Sequence, residues 1–199
     1  MDFWDKIAGV YDIAESFNGR AYRAMLEGVR QIVPQGAAVL DCAAGTGELT
    51  AAAAEKADSV LCTDLSFPML EQARKKCRKA GLKNVRFAER DITALDDSDE
   101  TYDIVIAGNV LHLLDDPQAA VRELLRVTKK GGKLILPTFL INENKAAKIL
   151  TGAYKLLGFD PSSNYSESDY AEMLRGFGPM KLTVLKGTIP VGFAVLKKM

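Results

Sequence analysis

The chain has 199 residues, 48% apolar and 26% charged, which suits a soluble globular protein large enough to bury a full core. Its 26 basic residues are matched by 26 acidic ones, which argues against a strong nucleic-acid binder, because phosphate neutralisation supplies most such affinity. No run approaches the ~18 apolar residues of a membrane span, and MDFWDKIAGV lacks a signal-peptide core, so a cytoplasmic protein is expected. Cys42, Cys62 and Cys77 lack metal-site spacing and read as reduced, partly buried thiols.

Strand and helix patterns alternate along the chain, as in a parallel sheet covered on both faces. Residues 19–32 read as a helix with Tyr22, Met25, Leu26 and Val29 on one face. A strand over 37–42 leads into VLDCAAGTGELT and an alanine-rich helix over 47–56. SVLCTD is a second strand ending at Asp64. Ser66 caps the next helix, with Pro68 in its first turn and Phe67, Leu70, Ala73 and Cys77 along its stripe. NVRFAE is the third strand. The acid-rich stretch 93–101 reads as a solvated loop or a loose turn of helix.

YDIVIAG is almost continuously apolar, as a strand buried on both faces should be. Asp116 and Pro117 start a helix, Lys130-Gly131-Gly132 forms a turn, and KLILPTFL is the fifth strand, with Pro137 near its end. Beyond it, 143–157 reads as an amphipathic helix and Ser166–Arg175 as a shorter one. MKLTVLK and VGFAVLKK should pair antiparallel at the sheet edge. The expected architecture is α/β, with a seven-stranded, mostly parallel sheet and an antiparallel C-terminal hairpin.

Four features fall at successive strand ends, where open α/β sheets gather ligand contacts. The first is Asp41 with the loop through Ala43, Gly45 and Gly47, whose glycines permit positive φ or close backbone approach. A dinucleotide fingerprint would place a third glycine at Thr50, and a carboxylate at the strand tip would repel a pyrophosphate while suiting a cation. The second is Asp64, able to accept both hydroxyls of a ribose. The third is Asp91, an acceptor for an adenine amino group, beside the amide of Ile92. The fourth is Asn109, followed by His112. Each acid could also serve as a turn or cap residue; the combination favours a ligand site.

VLDCAAGTGELT, LCTDLSFPML, ERDI, YDIVIAGNVLHLLDDP and LLRVTKKGGKLIL resemble the successive motifs of class I S-adenosylmethionine-dependent methyltransferases, over roughly residues 37–138. The flavour is similar to the small-molecule branch that includes the ubiquinone and menaquinone C-methyltransferases, as is WDKIAGVYD near the N-terminus. The resemblance implies a three-layer αβα Rossmann-like fold in a single domain, with a helical cap (1–34), a cofactor-binding core (37–138), and helices plus an edge hairpin (139–199). It implies S-adenosylmethionine as methyl donor and S-adenosylhomocysteine as product. It also implies that Tyr11 closes over the methionine end, while Leu65 and Met69 pack on the adenosine.

Methyl transfer from a sulfonium needs alignment, exclusion of water and, for some acceptors, a general base. His112, the sole histidine, is the candidate base, although a histidine there can equally pack at a helix start. Phe3, Trp4, Phe17, Phe139, Tyr154, Phe159 and Tyr165 make the flanking regions aromatic and suggest a small, partly apolar acceptor. A quinone is one candidate, though the pattern weakens after the fifth strand. Helix 143–157 is expected to face the core, with membrane-surface contact as the alternative. Two other readings stay open: a nicotinamide-dependent oxidoreductase, against which Asp41 and Thr50 argue, and a regulatory protein that holds the cofactor without turnover.

Overall fold

The structure, a computed structural model, describes residues 19–143 and 163–199. Tyr11, the aromatic residues Phe3, Trp4, Phe17, Tyr154 and Phe159, and nearly all of the helix expected over 143–157 lie outside them.

Helix α1 (Gly19–Ile32) leads to β1 (Ala38–Cys42), α2 (Glu48–Ala54), β2 (Ser59–Asp64), α3 (Phe67–Lys79), β3 (Val85–Glu89) and β4 (Tyr102–Ala107). After a 3-10 turn at Leu111–Leu113 come α4 (Pro117–Val127), β5 (Thr128–Phe139), a second 3-10 turn at Ile141–Glu143, α5 (Glu167–Met173), β6 (Met180–Leu185) and β7 (Val191–Lys197). The strands form one seven-stranded sheet in the order β3-β2-β1-β4-β5-β7-β6. The first five run parallel, and β7 lies antiparallel to both β5 and β6, giving the expected hairpin edge.

Alternation along the central strands divides the core into two faces. Val39, Ile104, Ile106 and Ile135 point to one side, where Met25 and Val29 of α1 and Ala52 and Ala53 of α2 cover them. Leu40, Val105, Leu134 and Leu136 point to the other, against Val121 and Leu124 of α4 and Tyr170 of α5. Together the two faces give the three-layer arrangement.

The helix starts follow capping chemistry. Ser66 Oγ accepts the N–H of Met69 at 3.3 Å, and Asp116 Oδ1 accepts the N–H of Ala119 at 2.8 Å; each such cap stabilises its helix by about 1 kcal/mol. Ser166 and Asp169 form a reciprocal capping box at α5. The one departure in strand layout is at Lys130-Gly131-Gly132. Instead of preceding β5, this turn lies within it: the ladder pairs Tyr102 with Thr128 and then Ile104 with Lys133, so the residues between bulge out.

Gly47 decides how closely α2 and α3 approach. It caps α2 at φ 81°, and a Cβ there would lie 2.7 Å from Ala73 Cβ and 3.1 Å from Ala73 Cα. Both conformation and contact exclude a side chain. Gly47→Ala should therefore cost about 1–3 kcal/mol in urea unfolding, through backbone strain and overpacking. An unchanged midpoint would show that the two helices separate freely.

Candidate functional site

The order β3-β2-β1-β4 places a topological switch at β1, the position where such sheets bind ligands beyond their carboxyl edges. A cavity of about 310 Å³ opens there. Its wall is built from the turns after four parallel strands: Ala43 and Gly45 after β1, Asp64 to Ser66 at β2, Arg90 to Ile92 after β3, and Gly108 to Val110 after β4. Met69, Leu113 and Leu114 complete it. A smaller recess of about 40 Å³ continues past Ala43, Gly45, Gly108 and Asn109 to Tyr22, Met25, Thr46, Glu48 and Leu49. Grooves of similar volume lie between α1 and the β6–β7 hairpin and along Lys129–Lys133, but neither stands at the carboxyl ends of the parallel strands.

The turns are tied together by backbone-to-carboxylate bonds. Asp64 Oδ2 accepts the N–H of Gly45 at 2.8 Å and Oδ1 accepts that of Ser66 at 2.9 Å. Gly45 holds φ 54°, and an added Cβ there would meet nothing within 4 Å, so the backbone faces open space. Ala43 and Asn109, at φ 50° and 54°, share the left-handed region, a costly conformation concentrated at functional sites. Asp91 Oδ1 accepts the N–H and the hydroxyl of Thr93 at 2.8 and 2.7 Å. Leu65 is 63% exposed at the rim, while Met69 and Ile92 are buried. Asn109 Oδ1 is buried without a hydrogen-bond partner among the described residues.

Ala43, Gly45, Asp64, Leu65, Met69, Asp91, Ile92 and Asn109 thus share one cavity, as the strand-end pattern anticipates. Asp41, Gly47 and His112 do not line it. Asp41 sits on the same face of β1 as Val39, toward α2, and accepts the hydroxyl of Thr50 at 2.5 Å. It is completely buried, and its Oδ1 has no partner among the described residues. Burial pushes its pKa up to about 7, with the charge of Asp64 adding to the rise and Thr50 opposing it. The carboxyl stands beneath the loop rather than in the cavity wall. Gly47 serves the α2–α3 contact instead.

His112 is 2% exposed in the 3-10 turn after β4, with Nδ1 3.2 Å from Thr138 Oγ1 and its ring edge-on to Phe139 at 6.3 Å. Burial lowers its pKa to about 4, so the imidazole is neutral and enclosed, unlike a base open to an acceptor. Tyr165, expected to line the acceptor region, is buried in the core beside Tyr170, with ring centroids 5.5 Å apart. Sequence reasoning missed Ser66, Arg90, Gly108, Val110, Leu113 and Leu114. All flank anticipated positions, and reading whole turns rather than single acids would have included them.

The family described as "Methyltransferase domain" matches residues 39–132. The demethylmenaquinone methyltransferase of Renibacterium salmoninarum is 31% identical over 184 residues, covering 87% of this chain and 75% of that protein. The chain belongs to the class I S-adenosylmethionine-dependent methyltransferases. The ubiquinone/menaquinone biosynthesis C-methyltransferase UbiE of Idiomarina loihiensis is 31% identical over 149 residues; that match covers 69% of this chain and spans 58% of the relative's length. Among solved structures, a methyltransferase of Bacillus halodurans aligns with TM-score 0.66 at 27% identity, covering 80% of this chain and 72% of that one. None of the described helices is long and apolar enough to cross a membrane.

Two of the buried titratable groups, Asp41 and His112, load stability in opposite directions. Asp41, raised above its usual value, contributes stability at low pH that is lost as pH rises toward 7. His112, lowered from 6.5 to about 4, contributes stability above pH 6.5 that is lost as pH falls toward 4. In urea unfolding, the stability gap between wild type and His112→Gln should shrink by roughly 3 kcal/mol between pH 6.5 and 4. A pH-independent gap would mean that the imidazole is not buried in its neutral form.

Proposed function

We propose that this chain transfers a methyl group from S-adenosylmethionine to a small, partly apolar acceptor. The observation that carries the reading is the convergence of four strand ends on one cavity bearing two carboxylates and the Asn109 oxygen, which has no hydrogen-bond partner among the described residues. The residues fit the cofactor's chemistry. Asp64, at the end of β2 in the cavity wall, would accept ribose hydroxyls through its carboxylate. Asp91 and the amide of Ile92 would meet the adenine edge, with Leu65 and Met69 packing on its faces. Asn109 would take an N–H of the amino-acid end, beside the open backbone of Ala43 and Gly45.

When bound, S-adenosylmethionine supplies an electrophilic methyl on a positively charged sulfur. The chain orients that group, excludes water and tolerates the charge. Orientation alone contributes up to about 7–11 kcal/mol in well-aligned reactions. The carboxyl of Asp41 beneath the loop and Thr50 in place of a third glycine argue against a pyrophosphate there, and so against a nicotinamide cofactor. We assign His112 a bracing role between the turn after β4 and β5, rather than the base role, because its ring is enclosed and held by Thr138.

We read residues 1–199 as one domain working in the cytoplasm; the free, buried thiols of Cys42, Cys62 and Cys77 fit a reducing compartment. The relatives' names point to an acceptor of the quinone type, methylated at carbon. That is the specific form of the proposal, and a partly apolar ring suits the aromatic flanking regions.

Calorimetric titration with S-adenosylhomocysteine tests the cofactor. Wild type should bind it and ignore NAD, while Asp64→Ala should weaken binding about 10–100-fold through the lost charge-assisted bonds. Binding of NAD alone, or full affinity in Asp64→Ala, would contradict the assignment.

A further inference from the structure

Resting on the methyl-donor reading, we infer that Arg90 and Asp97 form a positioning pair that keeps the Arg90 guanidinium from competing for the carboxylates at the adenosine end of the cavity. Arg90 lines the wall between Asp64 and Asp91, and its backbone N–H donates to the carbonyl of Asp64 at 3.2 Å. Two carboxylates, those of Asp64 and Asp91, line the same cavity. Arg90 Nη1 instead pairs with Asp97 Oδ2, a residue that does not line the cavity. The pair is sheltered, with side chains 25% and 13% exposed.

Asp97 is itself fixed from two directions. Its Oδ1 accepts the hydroxyl of Tyr102 at 2.7 Å, and its carbonyl accepts Arg126 Nη1 at 2.7 Å. Arg126, on α4, also donates to the carbonyl of Leu95 at 3.0 Å and to Asp99 Oδ1 at 2.7 Å, and Glu123 accepts the N–H of Leu95 at 3.0 Å. The acid-rich stretch read from sequence as a solvated loop or a loose turn of helix is bolted to α4 over residues 95–99. The bolt presents one carboxylate to Arg90 from outside the cavity.

Two consequences follow. With Asp97 in place, the Arg90 guanidinium is engaged outside the cavity and does not compete with a ligand's hydroxyl and amino groups for Asp64 and Asp91. The guanidinium, neutralised and immobile, offers a flat, weakly hydrated surface suited to an aromatic ring. Without Asp97, the cation would turn inward and compete with the ligand for the same carboxylates. Asp97 acts through Arg90 and touches no ligand.

Calorimetry with S-adenosylhomocysteine and with 5′-methylthioadenosine, which lacks the amino-acid end, tests the pair on the intact chain. Asp97→Asn should weaken both ligands by the same factor, about tenfold, the scale of one charge-assisted hydrogen bond. Tyr102→Phe, a milder change that removes only the hydroxyl on Asp97, should weaken both about two- to fivefold by the same reasoning. Adding Arg90→Gln to Asp97→Asn should restore much of the loss, since it removes the competing cation. Unchanged affinity in Asp97→Asn and Tyr102→Phe, or a further loss in the double variant, would overturn the inference while leaving the methyl-donor reading intact. Failure of the wild type to bind either ligand would instead overturn that reading, and the inference with it.

Discussion

The carboxylate of Asp64 is the constraint on which the site is built. By accepting the N–H of Gly45 and the N–H of Ser66, it joins the turn after β1 to the turn after β2. Its carbonyl also accepts the N–H of Arg90, bringing in the end of β3. Three strand ends are therefore referred to one residue. The left-handed backbone of Gly45 and the capping position of Ser66 follow from the same two bonds. Such bonds to an ionised acceptor are stronger than neutral ones, and here they also fix which way the loop faces.

Electrostatics carries the second part of the account. Among the described residues, the cavity is lined by Asp64 and Asp91 and one cation, Arg90, whose charge is answered by Asp97. Beneath it lies Asp41, whose buried carboxyl is destabilised as an anion partly by the charge of Asp64. The balance disfavours phosphate and favours a ligand with positive character. Membership of the methyltransferase family and this charge pattern point to the same cofactor from independent directions. The acceptor preference rests on a different basis: the relatives' names and the aromatic character of the flanking segments.

Much of the fold was legible because local chemistry and global topology agree. Ser66 and Asp116 cap the helices the pattern placed after them, each with proline in the first turn. The almost continuous apolar run of YDIVIAG marked a strand buried on both faces, and its residues indeed divide between the two faces of the core. The turns of the site were legible as well, since glycines and acids at strand ends mark them. Side-chain direction inside those turns was not. Asp41 turns toward Thr50 because it shares a face with Val39, a consequence of strand parity that its motif context obscures. Gly47 looks like its neighbour Gly45 in sequence, yet only the three-dimensional approach of Ala73 reveals its packing role. The enclosure of His112 and the bolting of residues 95–99 depend on Thr138, Arg126 and Glu123, partners distant in the chain that no local pattern signals.

A crystal structure of the chain with S-adenosylhomocysteine tests the central claim most directly. The account predicts ribose oxygens within hydrogen-bonding distance of Asp64, with the Gly45 and Ser66 bonds retained. It also predicts the adenine between Leu65 and Met69 with its edge toward Asp91 and Ile92, and the amino-acid end beside Asn109. A ligand seated in the groove between α1 and the β6–β7 hairpin, or in the main cavity with its ribose away from Asp64, would contradict it.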